Sequence, residues 1–464
     1  MCPTYDHDVN QRLAKYQRFG VHLGLDRIQR LLKVLENPHT RVPIVHVAGT
    51  NGKGSVCAYL ASALKQAGYR VGRYTSPHLV SWCERICINE VPITTADLIQ
   101  VLDQVEGAIV KNSSPEAIAP DGETPTQFEI FTAVAWVYFA QQVDIAVIEV
   151  GLGGRLDATN VVDHPLVSVI TSLSREHWQQ LGPTVADIAR EKAGILKAHR
   201  PAIIGPLPPE ADNVVIERAI ALNCPIIRPL PAQSDEQGYA VYAGAPSYGS
   251  FKYAMPLPGD HQLTNSAIAI AALHCLRDQG WQIPNQAIQA GIGKTRWPGR
   301  LQWLIWQAPD KQAYPWLLDG AHNPAAARVL RNYADAITQP SPLPVVARWL
   351  EQQKIQVPIK SPITWLMGLL TTKDHADVFR ELLRPGDRLH LVPVPNHSSM
   401  EPKALQEIAL TVCPNLASCE TYEELADGLA GAIVESSGFN ILCGSLYLVG
   451  HFFQTQPFHE PGLL

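Results

Sequence analysis

The sequence lacks the features that would place it in a membrane or stabilise it by disulfides. Its 464 residues contain no run of 18 apolar residues, the length that a membrane-spanning helix needs. Its nine cysteines are an odd number and include no Cys-x-x-Cys pair, so neither a disulfide framework nor a zinc ribbon is indicated. The N-terminus has no basic stretch followed by an apolar core, as a secretory signal would have. We therefore expect a soluble cytoplasmic protein with reduced thiols.

The sequence also lacks an excess of basic residues. Lysine and arginine together number 37 against 43 aspartate and glutamate residues, which gives a formal net charge of −6. Proteins that bind nucleic acid in general need a positive excess, because they displace counterions from phosphates. The composition therefore argues against a nucleic-acid partner, while a local basic pocket for an anionic ligand is compatible with it.

The apolar content and the length favour more than one domain. Hydrophobic residues make up 46% of the chain, and a chain of this size usually divides into two or three cores. Strands and helices alternate between residues 42 and 196, which is typical of a mostly parallel α/β sheet. Residues 201–260, rich in proline and glycine, show no clear period and are predicted to be irregular or short-stranded. The segment Trp297-Pro298-Gly299-Arg300 is typical of a linker.

After the linker the α/β pattern restarts, so the sequence predicts two domains, residues 1–296 and 297–464. Further strands of the second domain are predicted near 316–319, 363–369, 388–394 and 439–443.

A glycine-rich turn lies between a predicted strand and a predicted helix. The strand covers Val42–Ala48, and apolar residues from Val56 to Ala67 follow helical spacing. Glycines let backbone N–H groups turn towards a phosphate, and a helix N-terminus adds a favourable partial charge. The turn therefore predicts a nucleotide site in which Lys53 reaches the β- and γ-phosphates. Its residues are Gly49, Thr50, Asn51, Gly52, Lys53, Gly54 and Ser55.

This turn differs from the standard phosphate-binding loop, G-x-x-x-x-G-K-[ST]. Val47 occupies the position of the first glycine, and Gly54 follows Lys53 where a hydroxyl residue would hold magnesium. A metal ion used here must therefore take its protein ligands from elsewhere in the chain.

The turn resembles the ATP loop of the Mur ligase superfamily, and its Gly-Ser ending is similar to that of the folylpolyglutamate synthase/dihydrofolate synthase branch. Cell-wall ligases have a Thr-Thr ending instead. Further segments that match this branch follow in order over nearly the whole chain: Tyr74-Thr75-Ser76-Pro77-His78-Leu79, Glu84-Arg85-Ile86, Thr126-Gln127-Phe128-Glu129, Glu149-Val150-Gly151-Leu152-Gly153-Gly154-Arg155-Leu156-Asp157-Ala158-Thr159-Asn160, Glu191-Lys192-Ala193-Gly194-Ile195, Asp319-Gly320-Ala321-His322-Asn323-Pro324 and Gly444-Ser445-Leu446-Tyr447.

The resemblance implies an N-terminal P-loop-like ATP-binding domain with a smaller Rossmann-like C-terminal domain. It also implies an ATP-dependent ligase that adds L-glutamate to dihydropteroate, to tetrahydrofolate and its polyglutamates, or to both, through an acyl phosphate. ATP and magnesium, two ions in this family, would be required, and the family is usually monomeric. Competing interpretations are a Mur-type amide ligase acting on a non-folate acid, and a nucleotide-binding module without catalysis.

The resemblance implies a magnesium site built from distant residues. Its ligands would be Ser76, Glu149 and His177, with Lys192 holding a second ion after carbamylation by carbon dioxide. Glu176 stands where the family commonly has aspartate before this histidine, so the arm beside His177 is longer here.

The resemblance also implies nucleotide contacts from Asn265, Arg300, Asp319 and His322. Catalytic roles would fall to Lys53, Lys192 and His322. The acid substrate is expected near Ser76–Leu79 and Phe128–Glu129, with Arg85 close by; Phe128 is a candidate to stack on a pteridine, and Lys373-Asp374 is a candidate to face glutamate. The predicted substrate residues are thus Ser76, Pro77, His78, Arg85, Phe128 and Lys373.

Overall fold

The computed structural model describes residues 3–16, 24–111, 124–244, 248–309, 311–338, 344, 347–348, 351, 362–435 and 439–460. The chain divides into two compact units. The first comprises Met1–Pro231 and Asn265–Thr295, and the second comprises Ala232–Thr264 and Arg296–Leu464. Residues 232–264 thus group with the second unit, although the predicted domain limits leave them in the first.

The first unit is built on an eight-stranded sheet with the order β4-β3-β2-β5-β1-β6-β7-β8. Strands β2, β5, β1, β6, β7 and β8 run parallel, and β3 and β4 add an antiparallel edge. The strands are β1 (Ile44–Ala48), β2 (Val71–Tyr74), β3 (Ile86–Ile88), β4 (Val91–Pro92), β5 (Ile145–Glu149), β6 (Val167–Ile170), β7 (Ala202–Ile204) and β8 (Ile226–Ile227).

Helices cover this sheet. They are α1 (Pro3–Ala14), α2 (Asp26–Val34), α3 (Lys53–Gln66), α4 (Thr95–Lys111), α5 (Gln127–Phe139), α6 (Trp178–Leu181), α7 (Val185–Ala193), α8 (Pro209–Ala221), α9 (His261–Asp278, in this unit from Asn265) and α10 (Asn285–Lys294). Short 3₁₀ turns lie at Pro38–Arg41, Trp82–Arg85 and Ala158–Val161.

The centre of the sheet explains why the glycine-rich turn lies where it does. All five residues of β1 and all five of β5 are buried, as expected for parallel strands that are covered on both faces. In the β1–β5 register Val47 lies opposite Glu149. The carboxyl ends of both strands therefore open at one edge, where ligands bind in sheets of this type.

Helix α8 corrects the prediction for residues 201–260, which did not include a helix. Pro209 lies at its first turn, where a missing N–H costs nothing. Ala211, Val215 and Ala219 are buried at a spacing of four residues, so a helical period was present. The overall proline and glycine content of the segment concealed it.

The second unit contains a seven-stranded sheet with the order β16-β15-β14-β17-β13-β12-β18, and a small antiparallel sheet β11-β10-β9. Strands β16, β15, β14, β17 and β13 are parallel. The strands are β9 (Gln233–Ser234), β10 (Ala240–Tyr242), β11 (Phe251–Tyr253), β12 (Gln302–Gln307), β13 (Ala313–Leu318), β14 (Ile363–Met367), β15 (Arg388–Leu391), β16 (Ser418–Thr421), β17 (Phe439–Cys443) and β18 (Phe458–His459).

The helices of the second unit are α11 (Pro324–Ile337), α12 (His375–Leu382), α13 (Pro402–Val412), α14 (Leu425–Glu435) and α15 (Leu446–Thr455). The predicted α/β class is confirmed, and β13, β14, β15 and β17 correspond to the four predicted strands of the second domain. Among the described residues, no helix combines the length and apolar character needed to cross a bilayer.

Candidate active site

The glycine-rich turn joins β1 to α3, and two of its glycines are required by close contacts. Gly52, at φ 85°, precedes the first residue of α3. A Cβ atom at Gly52 would lie 2.5 Å from Asn265 Oδ1, and one at Gly49 would lie 2.0 Å from Thr171 Oγ1. The turn therefore follows a path that side chains would block. Asn265, a predicted nucleotide residue, lies directly against it.

The segment after β6 holds the turn in shape. Thr50 N donates to Ser172 O at 2.7 Å, and Thr171 Oγ1 donates to Asn51 O at 2.7 Å. Ser174 N donates to Thr50 Oγ1 at 3.1 Å. These bonds organise the backbone without a ligand, so binding need not order it.

Lys53 lies over the turn that carries it. Its Nζ donates to Gly49 O at 3.0 Å and to Thr50 O at 3.1 Å. The same Nζ lies 4.0 Å from Glu149 Oε1. The ammonium group is thus already at the mouth of the turn, where the phosphates of a nucleotide were predicted.

Glu149 and Ser76 meet at the carboxyl edge of the first sheet. Glu149 is the last residue of β5 and is 5% exposed. Its Oε2 accepts from Ser76 N at 3.3 Å. Because Glu149 also faces Lys53, the structure brings three of the predicted site residues together.

Lys192 reaches the same place from α7. It is 4% exposed, and its Nζ donates to Gly49 O at 2.7 Å. Burial and the nearby charge of Lys53 lower the pKa of Lys192 to about 7, against the opposing effect of Glu176 and other acidic groups. A substantial fraction of the amine is therefore neutral near pH 7, and only a neutral amine reacts with carbon dioxide.

Gly154 allows this approach of α7. A Cβ atom at Gly154 would lie 2.8 Å from Glu191 O and 3.1 Å from Lys192 Cα. The neighbouring Arg155 ties the same helix by an ion pair to Glu191 at 2.9 Å. The glycine segment of residues 151–154 thus serves to seat the helix that carries Lys192.

His177 is placed less deeply than the other predicted ligands. Its φ of 51° puts it at the start of α6, and its side chain is 43% exposed, with Nε2 3.9 Å from Glu176 Oε1. Over the described part of the chain, no three His, Cys, Asp or Glu side chains are arranged to hold a metal ion. The oxygen donors do fit magnesium: the Glu149 carboxylate, the Ser76 hydroxyl and a carbamate on Lys192 would supply the hard ligands it prefers.

The loop after β2 is ordered by Glu84, a residue to which no role was assigned from the sequence. Its carboxylate accepts from the backbone N–H groups of Leu79, Val80 and Ser81 at 2.8, 2.9 and 2.8 Å. Ser81 and Glu84 form a capping box, and the spacing of serine and glutamate by three residues is the signal that could have identified it.

Arg85 and His78 form a pair in this loop. Arg85 Nε donates to His78 Nδ1 at 2.9 Å. Since guanidinium groups cannot accept, this bond leaves the lone pair on Nδ1 and a proton on Nε2 of a neutral ring. Two predicted substrate residues thus form one pair. His78 directly follows Pro77, whose peptide bond with Ser76 is cis.

Phe128 and Glu129 lie at the start of α5. A Cβ atom at Gly151 would lie 2.4 Å from Phe128 Cζ, so the ring rests on the backbone after β5. Glu129 is 3% exposed; it accepts from Thr126 N at 2.6 Å and pairs with Arg27 at 3.2 Å. Glu129 therefore caps and anchors the helix that presents Phe128.

Three predicted nucleotide residues lie together in the second unit. Asp319, directly after β13, accepts from Leu301 N and from Ala321 N, both at 2.8 Å. Burial raises the pKa of Asp319, and the charge of Arg300 acts in the opposite direction. His322 Nδ1 donates to Gly320 O at 2.7 Å.

Arg300 completes this group. A Cβ atom at Gly320 would lie 2.4 Å from Arg300 Nη1, so the glycine leaves room for the guanidinium. His261, which was not predicted, lies near the same charge: burial and Arg300 lower the pKa of His261 to about 4. Lys373 lies in the turn before α12, after β14. Because β13 and β14 belong to the parallel part of the sheet, Lys373 and Asp319 follow strands that end at the same edge.

Comparisons with known proteins agree with this arrangement. Residues 47–273 match the Mur ligase middle domain, and residues 302–455 match the dihydrofolate synthetase C-terminal domain. A dihydrofolate synthetase of Saccharomyces cerevisiae is 32% identical over 457 residues, which cover 95% of this chain and 99% of that protein.

Solved structures give the same result. Mycobacterium tuberculosis folylpolyglutamate synthase complexed with ADP has a TM-score of 0.80 at 27% identity, covering 97% of this chain and 98% of that one. Escherichia coli FolC in complex with DHPP and ADP has a TM-score of 0.76 at 27% identity, covering 97% of both chains. The chain therefore belongs to the dihydrofolate synthase/folylpolyglutamate synthase family of Mur ligases.

Proposed function

We propose that this enzyme joins L-glutamate to dihydropteroate in an ATP- and magnesium-dependent reaction. The observation that carries the proposal is the convergence of Lys53, Lys192, Glu149 and Ser76 around the turn at Gly49. Two lysines, one hydroxyl and one carboxylate at the carboxyl edge of a parallel sheet suit a nucleoside triphosphate with its metal. Two solved relatives are complexes with ADP, which supports an adenine nucleotide as the ligand.

The chemistry has two steps, and each transfers one group. First, a carboxylate oxygen of the acid attacks the γ-phosphorus, the bond to the bridging oxygen breaks, and ADP leaves. Second, the amine of glutamate attacks the acyl carbon, the C–O bond to phosphate breaks, and the amine loses a proton. The acid thus receives a leaving group far better than hydroxide. Negative charge develops in both steps, so preorganised cations accelerate them.

The residues of the first unit take distinct roles in this scheme. Lys53 moves from the carbonyls of its own turn to the β- and γ-phosphates. Ser76 and Glu149 would hold one magnesium ion, with His177 as a further ligand, and a carbamate on Lys192 would hold a second. Bound magnesium supplies charge neutralisation on the transferring phosphoryl group. Thr50, Asn51 and Gly52 to Ser55 supply backbone N–H groups at the start of α3.

The nucleotide also needs contacts outside the turn. We assign these to Asn265 beside Gly52, and to Arg300, Asp319 and His322 in the second unit. The roles of Phe128 with the pteridine and of Lys373 with glutamate stay predictions, as do a monomeric state and a cytoplasmic location.

Dihydropteroate is the first candidate for the acid because two of the similarities are to dihydrofolate synthetases. The C-terminal match and the Saccharomyces cerevisiae relative are both dihydrofolate synthetases. Tetrahydrofolate and its glutamates are the second candidate, since an Escherichia coli relative, 30% identical over 442 residues, is named for both activities. The acyl-phosphate chemistry is common to the two acids, and only the shape of the acid pocket differs.

Product analysis tests the proposal. The enzyme is incubated with ATP, magnesium and L-glutamate, together with either dihydropteroate or tetrahydrofolate, and ADP release is measured alongside the mass of the product. We expect one ADP per dihydrofolate formed. ATP turnover that requires neither acid would reject the folate assignment, and turnover with tetrahydrofolate alone would select the second candidate.

A further inference from the structure

Trp82 lies behind the Arg85–His78 pair and contacts both of its members. The Arg85 Cζ atom is 4.2 Å from the centre of the indole ring, and the His78 and Trp82 ring centres are 4.7 Å apart. The ring centre of Phe131 in α5 is 5.0 Å from that of Trp82, and the Arg85 Cζ atom is 5.8 Å from the centre of the Phe131 ring. The indole is 8% exposed. It is therefore a buried aromatic plate that contacts Phe131 and both polar side chains.

The orientation of this plate is set from the N-terminal helix. Trp82 Nε1 donates to Asn10 Oδ1 at 2.7 Å, a bond that joins α1 to the loop after β2. Helix α1 is itself attached to α4, because Arg12 donates to Asp103 at 2.6 Å and to Glu106 at 2.5 Å. Val9 and Leu13 of the same helix are fully buried. Asn10 is thus carried on an anchored element.

The contacts leave Arg85 few ways to move. Its Nε donates to His78, its Cζ atom lies over the Trp82 ring, and its backbone oxygen accepts from Thr75 N at 3.0 Å. Thr75 directly precedes Ser76 of the proposed metal site. A guanidinium held over an aromatic face keeps its charge while losing mobility, which lowers the entropic cost of binding an anion.

We propose that Trp82 is a positioning residue for the acid substrate: held by Asn10, it presents Arg85 and His78 to the carboxylic acid that is to be activated. The inference rests on the proposed function, because it takes the ligand of this loop to be the acid. Trp82 itself need not touch the ligand. Its contribution is to fix the charge and the imidazole N–H in one arrangement.

Steady-state kinetics of the full chain with three variants test this role. KM and kcat are measured for the acid, for ATP and for glutamate in Trp82→Leu, Trp82→Phe and Asn10→Ala. We expect Trp82→Leu to raise the KM for the acid about tenfold, because the stacking on Arg85 is lost. Trp82→Phe keeps an aromatic face and Asn10→Ala keeps the indole, so each should raise that KM by only about threefold.

The matched control is Trp281→Phe, since the Trp281 ring packs edge-on against Tyr69 at 4.9 Å in the same unit but away from the loop. This variant should leave all three KM values unchanged. A general loss of structure in the Trp82 variants would lower kcat or move the three KM values together, and that outcome would overturn the positioning role. So would an unchanged KM for the acid in Trp82→Leu.

Two provisions keep the result decisive. Should Trp82→Leu fail to fold, an unchanged KM for the acid in both Trp82→Phe and Asn10→Ala overturns the inference. If ATP turnover by the wild-type enzyme requires neither acid, the proposed function is wrong, and the inference fails with it. An active wild type whose variants all bind the acid normally rejects the positioning role alone.

Discussion

At the scale of single residues, the site is an arrangement of charges around one backbone carbonyl. Gly49 O accepts from both Lys53 and Lys192, and Glu149 lies 4.0 Å from Lys53. Lys53 and the protonated fraction of Lys192 lie near one carboxylate, which leaves the cluster short of negative charge. A phosphate ligand supplies what is missing.

Removal of the loop lysine should therefore abolish activity without unfolding the chain. We expect Lys53→Ala to lower kcat at least about 100-fold, because a cation aimed at the transferring group is lost. Its thermal unfolding should be unchanged, since the Lys53 ammonium group donates to carbonyls of its own turn and faces Glu149. Lys65→Ala, in the last turn of the same helix, is the control and should retain activity. Normal activity in Lys53→Ala would show that the turn is not the phosphate site.

Glu149 should govern the magnesium requirement. Glu149→Gln keeps the size of the side chain and the acceptor for Ser76 N but removes the charge. We expect the magnesium concentration for half-maximal rate to rise about tenfold or more. The exposed Glu36→Gln serves as the control. A magnesium dependence identical to that of the wild type would remove Glu149 from the metal site.

Acid should destabilise the first unit through His46. This fully buried residue of β1 bonds to Thr159 Oγ1 at 2.9 Å, and burial lowers the pKa of His46 from 6.5 to about 3. Between pH 6.5 and about 3, His46 therefore binds a proton in the unfolded chain but not in the folded chain. Stability is complete above pH 6.5 and is lost as the pH falls towards 3, by up to about 1.4 kcal/mol per pH unit.

Denaturant unfolding between pH 7 and pH 4 checks this dependence. His46→Gln can keep a bond to Thr159 but does not titrate, so its stability should fall less steeply than that of the wild type. Parallel slopes for the two proteins would show that His46 is not the group that binds the proton.

At the scale of elements, the local pattern predicted the strand, turn and helix of residues 44–66 better than the elements around them. The run of strand, glycine turn and helix at residues 44–66 carries its own signals: a buried apolar strand, two glycines and helical spacing. Helix α8 was missed because the proline and glycine content of residues 201–260 concealed its helical period. Strands β12 and β18 pair at one edge through contacts some 150 residues apart in the chain, and no local pattern reports such a pairing.

The placement of side chains within the site was only partly predictable. The resemblance named Glu149 and Lys192 but gave no contacts, whereas the structure shows both against the turn. The bond between Asn10 and Trp82 joins residues 72 positions apart in the chain, so no local spacing reports it. The exposure of His177 likewise follows from the backbone turn at the start of α6, which spacing alone does not encode.

The seating of α7 on the glycine segment should be sensitive to a single methyl group. Gly154→Ala places a Cβ atom 2.8 Å from Glu191 O, which forces the helix away and should cost about 1–3 kcal/mol of unfolding free energy. Activity should fall as well, because Lys192 rides on this helix. Gly107→Ala is the control: no atom lies within 4 Å of its Cβ, and alanine favours the α4 helix. Equal stability of the two variants would show that α7 does not pack closely against Gly154.

At the scale of the whole molecule, the chain carries predicted nucleotide residues in both of its units. The first contributes the glycine turn and Asn265, and the second contributes Arg300, Asp319 and His322. The family match over residues 47–273 contains most of the glycine turn's unit, and the match over residues 302–455 contains Asp319 and His322.

A nucleotide should therefore stabilise the chain against heat. At 100 times its dissociation constant, ADP with magnesium should add about 2.7 kcal/mol to the unfolding free energy. Scanning calorimetry with and without ADP measures the shift in Tm. Lys53→Ala should show a much smaller shift, and an equal shift in both proteins would place ADP elsewhere.

The hydrogen bonds from Lys53 to Gly49 O and Thr50 O have a consequence for discrimination among solutes. An incoming molecule has to outcompete two neutral carbonyls before it gains this lysine. Water and weakly polar metabolites offer no advantage over those carbonyls, whereas a polyphosphate does. The turn thus selects ligands by their charge density, and in the absence of a ligand the Lys53 ammonium group keeps its two hydrogen bonds.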